Sequence, residues 1–228
     1  MSHPLDTLTP MQKAIGSIAF FAPLDTDMIA RLSAISLLKE LPKEYILHYE
    51  NSYSDRLLFL VDGLAKAYKI DKYDNEIFLY YIYPGKMLSD LSSLEDPRLL
   101  SYANVSTVEP ARLLSIDYTQ FKTKFLDSGI LSRPFTSEIL RQSGLLRELI
   151  DREFLLDSVS KVAMMLDKDL EMFNRLRRHD VSMMLHIQPE TLSRVLKRLK
   201  RDDLVCTEKG EVMVCDHERL QAIYKDSL

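Results

Sequence analysis

In IQPETLSRVLKRLKRDDL, residues 187–204, Glu190, Ser193, Arg194 and Lys197 recur at spacings of three and four, so on a helix they share one side. The set suits flat polar edges: a guanidinium donates two bonds to guanine O6 and N7, a carboxylate accepts from cytosine N4, and a serine hydroxyl serves either partner. Gln188, Thr191, Lys197, Arg198 and Arg201 add amide, hydroxyl and cationic groups of the kind that hold phosphates. Such contacts give affinity and salt dependence without sequence information. Leu192, Val195, Leu196 and Leu199 fall at i, i+3, i+4 and i+7 and must face a core, which leaves the polar set in water.

The flanking sequence supplies the frame. Pro189 is preorganised for a first helical position. Before it, Asp180 to Leu185 reads as a shorter helix, with His186-Ile187 as a tight turn between the two. After it, LVCTEKGEVMVCD reads as a hairpin turning at Lys209-Gly210, the wing of a winged helix-turn-helix. Residues 175–201 hold eight Lys/Arg against two acids, a window of +6 in a chain of net charge -4, so the rest carries -10. A basic segment in an acidic protein points to a local polyanion site, and the expected partner is double-stranded DNA. The alternative from another class is a scaffold whose helix-turn-helix binds protein.

Upstream, residues 10–38 read as short helices. From Leu41 to about Ile116, short apolar runs alternate with turns at Asp62-Gly63, Asp74-Asn75 and Pro84-Gly85, the texture of a small antiparallel roll able to hold a ligand. Residues 117–126 form a short helix. A longer one from Arg133 to Leu156 repeats Phe135, Ile139, Gln142, Leu146, Leu149, Glu153 and Leu156 at spacings of four and three. Such a seam predicts a parallel homodimer, or else packing on the chain's own roll. Asp157-Ser158 then starts a helix with Val162, Met165, Leu166 and Leu170 on one face. The fold class is α+β: a sensing roll over 1–132, a dimerisation helix over 133–157 and a winged helix-turn-helix over 158–228.

The N-terminal MSHPLDTLTP has no basic leader, and no apolar run nears the roughly 20 residues of a membrane span. A soluble, cytoplasmic protein without a membrane partner is expected. Cys206 and Cys215 flank the hairpin turn, as opposed strand positions would, and two thiols cannot hold an ordinary iron-sulfur cluster. With no Ser/His/Asp set, metal-ligand cluster or phosphate-cradling glycine loop, no enzyme is expected.

These features together resemble the CRP/FNR family of bacterial transcription regulators over nearly the whole chain. FLVDGLAKAYKI, IYPGKMLSDL and ARLLSIDYTQF are similar to its effector roll, and the long helix to its dimer helix. PETLSR resembles the FNR branch, which implies that Glu190, Ser193 and Arg194 read a TTGA-type half-site, with RNA polymerase as a further partner. Cyclic-nucleotide-binding members carry Gly-Glu-Leu and then Arg-Ser or Arg-Thr. Here those positions read Ser89-Asp90-Leu91 and Ser101-Tyr102, with Arg98 nearby. Ser89, Asp90, Arg98 and Tyr102 are the effector candidates, and cyclic AMP is not expected. The FNR cysteine cluster is absent. Some relatives bind haem, and His48 is the candidate axial ligand among His3, His48, His179, His186 and His217. The default is an unidentified small-molecule effector, or none.

Overall fold

The computed structural model describes residues 8–91, 93 and 95–225. His3 and the MSHPLDT stretch lie outside the described residues. The chain divides into two compact units that meet between Ser143 and Gly144.

The first unit opens with α1 (Pro10–Gly16), a 3₁₀ turn (Ala19–Phe21) and α2 (Thr26–Ala34). Thr9 and Gln12 form a reciprocal capping box at the start of α1, and Asp25 accepts from Met28 N at the start of α2. The chain then enters β1 (Ser36–Leu41) directly, earlier than the turn signals suggest. No Gly or Pro marks the junction; Ser36 Oγ donates to Leu32 O at 2.6 Å while Ser36 already pairs with Ile116.

Eight further strands follow: β2 (Ile46–His48), β3 (Tyr53–Ser54), β4 (Arg56–Asp62), β5 (Ala65–Ile70), β6 (Glu76–Ile82), β7 (Leu99–Leu100), β8 (Asn104–Thr107) and β9 (Ala111–Asp117). They form antiparallel sheets β1-β9-β4 and β2-β8-β5-β6, with β3 paired to β7. The β4–β5 turn requires its glycine: Gly63 has φ +92°, and a Cβ there would lie 2.6 Å from Pro110 O. Leu57 to Leu60 are all buried, because β4 is covered on both faces. Its outer cover is the main apolar core, where Phe20, Phe21, Phe59, Phe121 and Phe125 meet between the three-stranded sheet and the helices.

Next come α3 (Tyr118–Phe121), a single π turn (Lys122–Leu126) and α4 (Ser132–Phe154). Three seam expectations need correction. Phe135 belongs to the first unit's own core, and Leu156 lies past the end of α4 and is buried. The exposed apolar stripe of α4 instead runs through Ile139, Leu146, Ile150 and Phe154, with Leu140 beside it. Gln142 leaves the seam as well, donating from Nε2 to Ser89 O at 3.3 Å. Leu149 is half-buried.

The second unit holds α5 (Ser158–Lys168), α6 (Leu170–Arg175), α7 (Arg178–Met184), α8 (Pro189–Arg201), the hairpin β10 (Val205–Glu208) with β11 (Glu211–Val214), and α9 (His217–Lys225). Asp157 caps α5 by accepting from Ser160 N at 2.8 Å. The helix stops at Lys168, so Leu170 starts the next one rather than extending the α5 face. Asp167 ties α5 to α9, accepting from Tyr224 Oη at 2.7 Å and Gln221 Nε2 at 3.1 Å. Burial and that carboxylate push the Tyr224 phenol up to about 12. Among the described residues, no helix is long and apolar enough to cross a membrane.

Candidate nucleic-acid interface

Helix α7 ends in a left-handed cap. His186 has φ +51°, its N–H donates to Met183 O at 3.1 Å, and Ile187 N–H donates to Ser182 O at 3.0 Å. This is the two-bond Schellman arrangement usually built on glycine. Gln188 then stands at the N-cap of α8 and Pro189 at its first turn. The far end repeats the device: Asp203 has φ +56°, and Leu204 N–H donates to Leu199 O at 3.0 Å. Leu192, Val195 and Leu199 are buried, and Glu190, Ser193, Arg194 and Lys197 are exposed on the other side. Among the described residues, Glu190 and Lys197 have no ion-pair partner, and Arg194 makes one long side-chain hydrogen bond, to Thr191 Oγ1 at 3.4 Å. The helix thus presents a carboxylate, a hydroxyl and two cations that the fold does not use.

Gln188 is exposed and Thr191 half-buried. Arg198 and Arg201 lie 3.8 and 3.3 Å from Asp202, so a phosphate must compete with that carboxylate. Beside α8 stands the wing. Lys209 and Gly210 both have positive φ, +50° and +91°, as a two-residue turn matching strand twist requires. Asn174 clamps β11 by exchanging two bonds with Val212, at 2.8 and 2.9 Å. Cys206 lies opposite Met213, and Cys215 falls just past β11, so the thiols are diagonal neighbours rather than opposed. Both are free and exposed.

Sequence reasoning missed the group that holds the turn. Glu153, at the end of α4, accepts from Arg152 Nε at 3.0 Å and Lys161 Nζ at 3.3 Å, and its Oε2 lies 2.9 Å from His186 Nδ1. Lys161 in α5 is buried, and such a charge demands a partner. Burial pushes the Glu153 carboxyl up, but its bonds to His186 and Arg152 outweigh this and leave it below its ordinary value. Asp157 is held down by its Ser160 cap bond; at Asp167, burial is outweighed by Tyr224, Gln221 and His217. Folded values below unfolded ones give stability that is present above the unfolded carboxylate range and lost as pH falls from there through the lower folded values. The helix-turn-helix unit is therefore expected to lose stability steadily below about pH 4.5 in thermal melts. Glu153→Gln should flatten that dependence.

In the roll, Asp90 and Tyr102 come together, whereas the Ser89 hydroxyl turns to the β4 backbone and Arg98 lies apart. Asp90 Oδ2 accepts from Tyr102 N at 2.7 Å, while buried Ser89 accepts at Oγ from Leu58 N at 3.0 Å. Arg98 is a correction: its guanidinium stacks 4.4 Å from the Tyr53 ring and contacts Asp96 at 3.4 Å. Lys69, unforeseen, lies 4.1 Å over the Tyr102 ring and pairs with Glu50 at 2.5 Å. Burial pushes the Asp90 carboxyl up, opposed by Tyr102 N–H and Lys69. Burial, with Asp90 next, also raises the Tyr80 phenol.

His48 is buried, its Nε2 has no hydrogen-bond partner among the described residues, and burial lowers its pKa, which favours the uncharged ring. That suits an axial ligand. Among the described residues, His48 lines none of the cavities at the α8–wing groove, below the 3₁₀ turn, beside α2 or beside α9.

Comparison with known proteins agrees with this geometry. The Crp-like helix-turn-helix domain matches residues 145–223, and the cyclic nucleotide-binding domain matches residues 38–128. No curated protein gives a significant match. Among solved structures, a CooA variant from Carboxydothermus hydrogenoformans superposes with a TM-score of 0.68 at 16% identity, over 84% of this chain and 88% of that one. A putative transcriptional regulator of the crp/fnr family from Eubacterium rectale gives 0.66 at 17%, over 92% and 99%. FixK2 from Bradyrhizobium japonicum gives 0.63 at 18%, over 83% and 97%. At such identities the structural likeness speaks for the fold, while the two domain matches, in this order along one chain, speak for the family. The chain belongs to the CRP/FNR family of DNA-binding transcription regulators.

Proposed function

We propose that the protein is a homodimeric regulator reading a palindrome of TTGA-type half-sites, with Glu190, Ser193 and Arg194 at the base edges. Gln188, Thr191, Lys197, Arg198 and Arg201 hold the phosphates, and residues 133–157 join the two copies. The observation that carries this reading is the exposed face of α8, where Glu190 and Lys197 have no ion-pair partner among the described residues and Arg194 makes one long contact. The exposed stripe Ile139, Leu146, Ile150 and Phe154 supports the dimer, since an apolar row along a helix stays in water only at a cost. Two recognition helices related by a twofold axis match half-sites about one helical turn apart. The setting is the cytoplasm, with RNA polymerase as the partner that the family resemblance carries.

A gel shift at 100 mM salt, comparing a TTGA palindrome with scrambled DNA of the same length, tests the reading. Preferential retardation of the palindrome is expected; equal retardation removes sequence reading, and none on either favours the protein-binding scaffold. Lys197→Ala should weaken binding on both DNAs and lower the slope of log affinity against log salt by about 1. A loss confined to the palindrome would remove Lys197 from the phosphate contacts.

The effector acts on the roll. Cyclic AMP is disfavoured, because Asp90 would place a carboxylate where a nucleotide phosphate needs cations, and Lys69 is already engaged by Glu50. Haem gas sensing is the second reading, on buried His48, whose Nε2 has no hydrogen-bond partner among the described residues. A Soret band that appears on haem addition and is lost in His48→Ala would support it.

A further inference from the structure

A cavity of about 700 Å³ lies in the first unit between the 3₁₀ turn, the loop after β6 and the first turns of α4. That is within the roughly 300–1,000 Å³ typical of small-molecule sites. Its wall is apolar, with Phe20 and Phe59 at a ring separation of 5.1 Å and Ile130 and Pro134 beside them. Its charges are one-sided. Arg141 is taken by its ion pair with Glu138, the one acid of the lining, whereas Lys86 and Arg133 are exposed and without an ion-pair partner among the described residues. None of Ser89, Asp90 and Tyr102 lines it.

An apolar wall with two uncommitted cations at its rim matches an apolar body carrying one negative head. We propose that this cavity binds a small amphipathic carboxylate, its apolar body against Phe20, Phe59 and Ile130 and its carboxylate at Lys86 and Arg133. A phosphate-rich ligand is a poorer match, because the wall offers aromatic and aliphatic surface rather than converging donors. The occupant touches Arg133, Pro134 and Glu138 and so bears on the start of α4, the helix whose later turns carry the exposed stripe. Binding here is independent of the DNA reading and can be measured without DNA.

Isothermal titration of the full chain with decanoate, and separately with decyltrimethylammonium, tests both the site and the charge sign. Decanoate should saturate at one per chain and bind at least ten-fold more tightly than the cation of equal tail. In the double variant Lys86→Ala/Arg133→Ala, decanoate affinity should fall roughly ten-fold, the yield of two exposed charge contacts, and the preference for the anion should vanish. Both side chains are exposed, so the variant keeps its fold, which an unchanged melting temperature verifies. Absence of saturation by decanoate, equal affinity for the two amphiphiles, or an unaltered isotherm in the double variant would each overturn the proposal.

Discussion

Replacing Leu146 and Ile150 together by aspartate is expected to leave a folded monomer whose affinity for a two-half-site operator is about a hundred-fold or more below that of the parent. Both side chains stand on one side of α4, four residues apart, at 43% and 54% exposure, so neither supports the fold of a single chain. In a parallel pair, each copy would set its two carboxylates against those of its partner, in a seam with no water to screen them. The DNA consequence is larger than the local one, because the second half-site is bound intramolecularly only while the copies are joined. Sedimentation equilibrium at micromolar concentration reads the first effect and fluorescence anisotropy on operator DNA the second. A variant that remains dimeric would move the interface off this stripe.

Arg194→Ala is expected to cost roughly 1 to 3 kcal/mol on the palindrome, with the loss concentrated at the guanine of each half-site. The side chain is exposed and makes one 3.4 Å contact to Thr191, so its removal does not unsettle α8. Changing the guanine in the DNA should cost the parent protein a similar amount and the variant almost nothing, which is the coupling a double-mutant cycle isolates. Additive losses would mean that Arg194 contacts the backbone instead.

The recognition helix and the wing were legible in the sequence because their determinants are local. Pro189 sets the start of α8, the 3.6-residue period fixes its buried face, and Lys209-Gly210 occupies the two positive-φ positions of the hairpin. What escaped depends on partners distant in sequence. Phe135 reads as a seam residue until the first unit's apolar core closes around it, and Leu156 does so because α4 ends at Phe154 without a glycine or proline. Glu153 looks like a polar break in a heptad, whereas His186 and Lys161 make it the tie between the end of α4 and the helix-turn-helix. In the roll, the short linear motif named Ser89, Asp90, Arg98 and Tyr102 as candidates, of which Asp90 and Tyr102 meet. It could not foresee Lys69 stacking on Tyr102, nor Arg98 turning away to Tyr53.

Selection of binding sites from a pool of random duplex DNA by the purified, full-length protein tests the central claim most directly, since no sequence is assumed in advance. Enrichment of a twofold-symmetric site with TTGA-type arms one helical turn apart is the expected result. Recovery of no common sequence, or of a single asymmetric motif without guanine at the position Arg194 reads, would contradict it.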